Sequence, residues 1–266
     1  PAMTAWSKVT GIEGSHFDAR EAFAAVERHR LGDLQPYIYR TEDGGRTWQN
    51  VVQGIAANSY VQAVKEDPVR RGLLYAATEF GVYVSFNNGD QWQPLQFNLP
   101  HTSARDLVVH GDALVVATYG RGDWILDDLS ALRQLTPAIA QEAVHLYQPG
   151  VALAIRQGSI NGTPLRREEP QLENPPAGAI IYYSLAEAAQ QPVELQVLDS
   201  TGKVLATFHS NDPMPQVDVE KLEIPAYWLQ PPLRLGTAAG MHRFVWDLRP
   251  QPPPGHGGQG DDFGGL

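Results

Sequence analysis

The residues of this chain that could do chemistry are its carboxylates. Hydrolysing a bond between sugars takes two carboxyl groups about 5–10 Å apart across the bound substrate. Glu27 and Glu79 fall at matching positions of an internal repeat, and Asp123, followed by Asp127 and Asp128, crowds the third copy of that repeat. Glu27, Glu79 and Asp123 are therefore the candidate catalytic residues. Against them stands a plainer reading. The chain has 30 acidic residues, and spacing alone does not single out a working pair, so these are turn and surface acids unless the fold brings two together.

Other chemistry finds less support. His16-Phe17-Asp18, and His256 with Asp261-Asp262, lack the spacing of a recognised metal site, so no metal and no cofactor is expected. Arg121-Gly122-Asp123 spells an adhesion tripeptide, but Gly120 and Gly122 account for it more simply as a turn. No phosphate loop, dinucleotide fingerprint or Ser-His-Asp order is present.

The elements that must position these acids are organised by one turn. Thr41-Glu42-Asp43-Gly44-Gly45-Arg46-Thr47-Trp48 returns 44 residues later, in weaker form, as Ser85-Phe86-Asn87-Asn88-Gly89-Asp90-Gln91-Trp92. Asp and Asn side chains accept hydrogen bonds from backbone N–H groups two to four residues on. Gly45 and Gly89 supply a positive-φ position. Trp48 and Trp92 restart a strand and bury a ring beside the turn. Thr41, Asp43, Gly45, Thr47 and Trp48, with Ser85, Asn87, Gly89 and Trp92, are thus expected to be structural, their polar groups consumed by the turn itself.

Around that turn the chain repeats. Phe23-Ala24-Ala25-Val26-Glu27 aligns with Tyr75-Ala76-Ala77-Thr78-Glu79 and with Val116-Ala117-Thr118-Tyr119. The propensity of Asp18 to Arg30 favours a helix, but the repeat favours strands. Tyr37–Arg40, Gly81–Val84 and Gly122–Leu126 form the next strand, with Tyr39, Tyr83 and Trp124 in one aromatic column. Tyr60–Val64 and Ala104–Val108 are read as leading strands, with Tyr60 set against Ala104. Extra residues from Arg28 to Gln35 in the first copy are read as a loop insertion. A period of roughly 40–44 residues with about four strands per unit is that of a β-propeller blade.

The pattern Thr41-x-Asp43-x-Gly45-x-Thr47-Trp48 resembles the Asp-box, or BNR repeat, of sialidases, oligoxyloglucan-type glycosidases and sortilin-like propellers. The runs Gly72–Ser85 and Trp124–Leu129 resemble large bacterial proteins that carry glycosyl hydrolase or sortilin-like labels. The likeness covers roughly residues 6–135. The second box departs from it at Asn87 and Gln91, and the third blade lacks the box. The resemblance implies an extracellular or periplasmic protein. A sialidase would also need an arginine cluster and can use a Tyr nucleophile. Arg28 and Arg121 are available for the cluster, but no Phe-Arg-Ile-Pro-like stretch stands near the start.

The expected fold class is all-β: about three four-stranded Asp-box blades of a partial propeller (1–135), then an Ig-like β-sandwich. Residues 136–178 form a linker and long loop, with a short helical turn near Ser130–Leu135 or between Pro137 and Leu146. The sandwich spans 179–250, with strands at 179–185, 193–198, 203–208, 224–228 and 240–249. It resembles FlgD-like modules, and it shows fewer strands than the seven of a complete sandwich. Residues 251–266 are a Gly/Pro-rich tail expected to move freely. Three blades do not close a ring, so the remaining blades are expected upstream or from another chain, and the first blade edge is expected to be sticky. Pro1-Ala2-Met3 reads as a cloning remnant, in keeping with a piece of something longer.

Net charge is −10 and no block of Lys or Arg is present, which disfavours nucleic acid and anionic membrane as partners. No run of about 18 apolar residues could span a bilayer. Cysteine is absent, which excludes disulfides and thiol catalysis. The leading expectation is a non-catalytic binding or scaffold piece that presents blade loops to a glycan or protein. The alternative is the C-terminal part of a glycoside hydrolase, sialidase-like or xyloglucanase-like.

Overall fold

The computed structural model describes residues 3, 5–153, 176, 178–213, 222 and 234–249. The chain divides into two compact units, Pro1–Arg133 and Gln134–Leu266.

The first unit is three blades of a β-propeller. Strands β1 (Lys8–Gly14), β2 (Ala22–Arg28), β3 (Asp33–Thr41) and β4 (Gln49–Asn50) form one antiparallel sheet in chain order. Strands β5 (Val61–Glu66), β6 (Leu74–Thr78), β7 (Gly81–Ser85) and β8 (Gln93–Pro94) form the second. The third sheet has three strands, β9 (Ala104–His110), β10 (Ala113–Thr118) and β11 (Asp123–Leu126). It lacks the outer strand because no fastened turn follows β11. Instead Asp128 accepts the Ser130 N–H at 2.8 Å and helix α1 (Ser130–Gln134) begins.

The helix that propensity favours near residue 23 does not form. Five successive residues of β2, Phe23 to Glu27, are buried, which a strand achieves by covering both of its faces. Phe23 and Ala25 pack forward onto the second blade with Ile38, Val61, Val64, Leu74 and Ala76. Ala24 and Val26 face the other way and meet Tyr39, Tyr37 and Trp48. The interface between blades two and three repeats the arrangement, with Tyr75, Ala77, Val82 and Val84 against Leu107, Leu114, Val116 and Trp124. Full burial of such side chains contributes about 1.5–3 kcal/mol each, so blade-to-blade contact is the main stabilisation of the array.

The strand register confirms the repeat. Ala24, Ala76 and Val116 stand opposite Tyr39, Tyr83 and Trp124. It also corrects the leading strands by one residue, because Tyr60 corresponds to Ser103 rather than Ala104. Strand β1, which the sequence pattern does not show, completes the first blade. All three leading strands carry an extra residue at the same place: Thr10, Gln62 and Arg105. Such a bulge bends the strand and re-aims its side chains.

The first-blade insertion is not a free loop. A 3-10 turn at His29–Leu31 closes with Gly32 at φ 74°, while Arg28 ends β2 and Asp33 begins β3, so half of the extra residues lengthen the hairpin and half make its turn.

In the second unit, β12 (Val144–Leu146), β13 (Ala179–Leu185) and β16 (Gly240–Trp246) form one sheet, with β13 central. Strands β14 (Glu194–Leu198) and β15 (Val204–His209) form another. Their inner faces share a core of Ile181, Tyr183, Leu195, Phe208 and Phe244, the last two rings 4.8 Å apart. Residues 144–146, expected in the linker, pair with β13 instead. The strand expected at 224–228 and the tail lie outside the described residues, as does most of the long loop.

Candidate functional site

Each blade ends its second strand beside the start of its first. In blade one this pairs Glu27 with Lys8. In blade two the Glu79 N–H donates to the Tyr60 carbonyl at 3.1 Å, and in blade three the Tyr119 N–H donates to the Ser103 carbonyl at 2.8 Å. With the bulge residues, three equivalent positions therefore recur around one end of the blades. They hold Lys8, Thr10 and Glu27, then Tyr60, Gln62 and Glu79, then Ser103, Arg105 and Tyr119.

These side chains connect from blade to blade. Lys8 Nζ meets Glu27 Oε1 at 2.7 Å, and His29 Nδ1 lies 3.0 Å from Glu27 Oε2. The His29 ring stacks on Tyr60 of the next blade, with centroids 4.8 Å apart. The Tyr60 hydroxyl donates to Glu79, which also accepts from Ser103 Oγ of blade three at 2.8 Å. Arg105 lies 3.9 Å from Glu79, and its guanidinium sits over the Tyr119 ring at 5.1 Å. Tyr119 itself is exposed. Burial, and then the bond to Glu79, push the Tyr60 hydroxyl up to about 12. Gln62 is 9% exposed, and its Nε2 has no hydrogen-bond partner.

Two of the three candidate acids thus stand on this rim, linked through His29 and Tyr60. Asp123 does not join them. It stands opposite Ala117, the register position that Ile38 and Val82 fill in the other blades, so it lies on a sheet face. Its Asp127 and Asp128 neighbours lead into α1. Arg28 is occupied by Asp33 at 2.9 Å and by the Tyr37 ring. Beside the lengthened hairpin, Gln35, Pro36, Tyr37, Asn50 and Gln53 line an open recess of about 430 Å³. No group of three or more His, Cys, Asp or Glu suited to a metal ion occurs among the described residues.

The repeated turns lie at the opposite end of the blades. Thr41 Oγ1 donates to Asp43 Oδ1 and accepts the Gly45 N–H, both at 2.9 Å. Asp43 Oδ1 also accepts the Arg46 and Thr47 N–H groups at 2.9 Å, and its Oδ2 accepts Thr47 Oγ1 at 2.7 Å. That bond from the Thr47 hydroxyl, followed by the backbone donors, lowers Asp43 to about 2. In the second turn Asn87 accepts from Ser85 Oγ at 3.0 Å and from the Gln91 N–H at 2.9 Å, while Ser85 Oγ accepts the Gly89 N–H at 3.0 Å. A Cβ on Gly89 would meet Val51 Cγ2 at 3.1 Å, so the blade interface as well as φ requires glycine there.

The sequence pattern carried Glu27, Glu79 and Tyr119 in one column. It missed Lys8, His29, Tyr60, Ser103 and Arg105 as their neighbours. The signal was the leading strand in correct register, which sets Lys8, Tyr60 and Ser103 in a second column.

No family model matches the chain, and no curated protein matches it. Among solved structures it is similar to YCF48 bound to a D1 peptide, with 17% identity over 47% of this chain and 42% of that one and a TM-score of 0.32. It is similar also to a GH74 enzyme from Niastella koreensis, with 14% identity over 77% and 30% and a TM-score of 0.37. A GH74 xyloglucanase from Xanthomonas campestris gives 13% identity over 53% and 25% and a TM-score of 0.35. The chain spans less than half the length of each. These likenesses place the chain beside known structures without naming its function, which rests on the chemistry of the rim.

Proposed function

We propose that this chain is the binding or scaffold part of a larger, secreted Asp-box propeller protein, and that the rim from Lys8 to Tyr119 receives a glycan or protein ligand. Further blades complete the ring. The supporting observation is the rim itself: three equivalent positions in each of three blades carry different polar and aromatic residues on a rigid frame, joined by a ring stack and a hydrogen bond from blade to blade. Rigid strands that present varied side chains at their ends are how such scaffolds bind. Tyr119 offers an exposed ring, with the Arg105 guanidinium over it and Glu79 beside that guanidinium.

Binding is favoured over hydrolysis by the state of the acids. Lys8 holds one Glu27 oxygen at 2.7 Å, the other lies 3.0 Å from His29 Nδ1, and the residue is 3% exposed. A general acid must reach the leaving-group oxygen. One observation supports the hydrolase reading: Tyr60 bonded to Glu79 is a hydroxyl beside a carboxylate, the pairing of an activated nucleophile. Against it, the Tyr60 hydroxyl is pushed up rather than down, which is the wrong direction for attack near neutral pH.

The experiment is calorimetric titration of the whole chain with a xyloglucan oligosaccharide and with 3′-sialyllactose, alongside an assay of sugar release. Binding without release, weakened by Tyr119→Ala, supports the proposal. Release that Tyr60→Phe and Glu79→Gln abolish would replace it with the hydrolase reading.

A further inference from the structure

Blades one and two leave their outer strands in the same way but finish that corner differently. The Val51 N–H donates to the Ile38 carbonyl and the Leu95 N–H to the Val82 carbonyl, both at 2.8 Å. The same tight turn follows, from the Ile55 N–H to the Val52 carbonyl at 3.0 Å and from the Leu99 N–H to the Gln96 carbonyl at 2.7 Å. Val52 therefore corresponds to Gln96, and Tyr37 to Gly81.

In blade two the corner is filled. Gln96 lies so close over Gly81 that a Cβ there would meet its Oε1 at 2.1 Å, and its Nε2 donates to the Leu99 and Pro100 carbonyls at 2.9 and 3.1 Å. In blade one Tyr37 has the Cβ that Gly81 lacks, and Val52 has no amide to fold across. Strand β3 also starts at Asp33, well ahead of Ile38, whereas β7 starts at Gly81, next to Val82. The corner of blade one is thus the open recess of about 430 Å³. Its lining runs from Gln35 to Ala57, within blade one and its connection to blade two, so no further blade is needed to form it.

The lining has one kind of chemistry. Gln35, Asn50 and Gln53 are exposed, and among the described residues none of their side-chain amides makes a hydrogen bond. Each amide offers two donors and an acceptor. Buried Pro36 and Ile55 and half-buried Tyr37 supply the apolar part. No charged side chain lines the recess, and Arg28 and Asp33 beside Tyr37 pair with each other at 2.9 Å. Uncommitted neutral amides set around an apolar floor match a ligand rich in hydroxyls, without charge and with an apolar face. We infer that this recess binds a neutral sugar unit, at a site separate from the rim. The inference rests on the recess alone and holds whether the rim takes a glycan or a protein.

The test is calorimetric titration of the whole chain with cellotetraose, mannotetraose and a xyloglucan heptasaccharide, with tetragalacturonate as the acidic control. Saturable binding of at least one neutral sugar is expected, and weaker binding of tetragalacturonate. Asn50→Ala combined with Gln53→Ala removes two hydrogen-bonding groups and should raise the dissociation constant about tenfold. Ala57→Trp, at an exposed position, should block the recess. Circular dichroism and thermal melting check that both variants keep the fold. Tyr119→Ala alters the rim and should leave this binding unchanged, which separates a failure of the rim reading from a failure of this one. Binding of none of the three neutral sugars would overturn the inference. So would binding indifferent to both recess variants, or binding lost entirely with Tyr119→Ala. Tighter binding of tetragalacturonate than of the neutral sugars would overturn the ligand class.

Discussion

The indole of Trp92 donates through Nε1 to the Val51 carbonyl of the preceding blade at 2.8 Å, and the ring is 2% exposed. Its counterpart Trp48 donates instead to the carbonyl of Gly45 in its own turn at 3.1 Å. The same residue in the same turn is therefore an interblade anchor in one copy and a local clasp in the other. Trp92→Phe removes a buried bond and should cost about 1 kcal/mol, and Trp92→Ala about 3–5 kcal/mol. Trp48→Phe should cost less than Trp92→Phe. Denaturant unfolding of the three variants reads the ranking, and equal costs would contradict it.

Asp43 makes the first turn sensitive to acid. Its folded pKa, about 2, lies below the ordinary 3.8, so its stabilisation is fully present above about pH 4 and is lost as pH falls through 2. The corresponding Asn87 does not titrate. Asp43→Asn should lower the melting temperature at pH 7 and change it little at pH 1.5. A deficit that persists unchanged at pH 1.5 would show that the charge is not the source.

Tyr60 behaves in the opposite sense. Its folded pKa is raised to about 12, so its contribution is whole below the usual value of 10 and disappears as pH rises through 12. Glu79→Gln should bring the Tyr60 transition down, because the acceptor loses its charge. Phenolate absorbance, compared with a Tyr60→Phe control, identifies that step. A titration unmoved by Glu79→Gln would remove the carboxylate as a cause.

Arg133 fastens α1 to the blades. Its Nε donates to both oxygens of the fully buried Asp67 at 3.0 and 3.1 Å, one terminal nitrogen pairs with Asp112, and the other donates to the Gly111 carbonyl at 2.9 Å. Breaking such a pair from one side leaves a buried charge and should cost about 3–5 kcal/mol. Arg133→Met with Asp67 intact should therefore be worse than the double change Arg133→Met with Asp67→Leu. Thermal unfolding of both variants gives the comparison. The expectation fails if the double variant is the less stable.

Much of the blade pattern was legible in the chain itself. Ala24, Ala76 and Val116 align by eye, and the register agrees. The leading strands slipped by one residue because Leu107 and Val108 are both apolar, and nothing local chooses between them. A one-residue slip turns every side chain to the other face. Strand β1 escaped notice because Gly11 and Gly14 interrupt it, and it forms by pairing with β2. Asp123 looked like an active-site acid because it crowds the third copy of the repeat with Asp127 and Asp128. Its place on a sheet face follows only from pairing with Ala117.

The sequence by itself determined what is local: the turn from Thr41 to Trp48, its weaker copy, and the alternation that makes strands a blade long. Those depend on bonds between residues two to four apart, which a side chain carries with it. Only the tertiary structure decided the rim and the blade-to-blade anchor at Trp92. Glu79 to Ser103 joins residues 24 apart, and Trp92 to Val51 joins residues 41 apart. Both depend on the exact rotation of one blade on the next, which packing sets and no short pattern encodes.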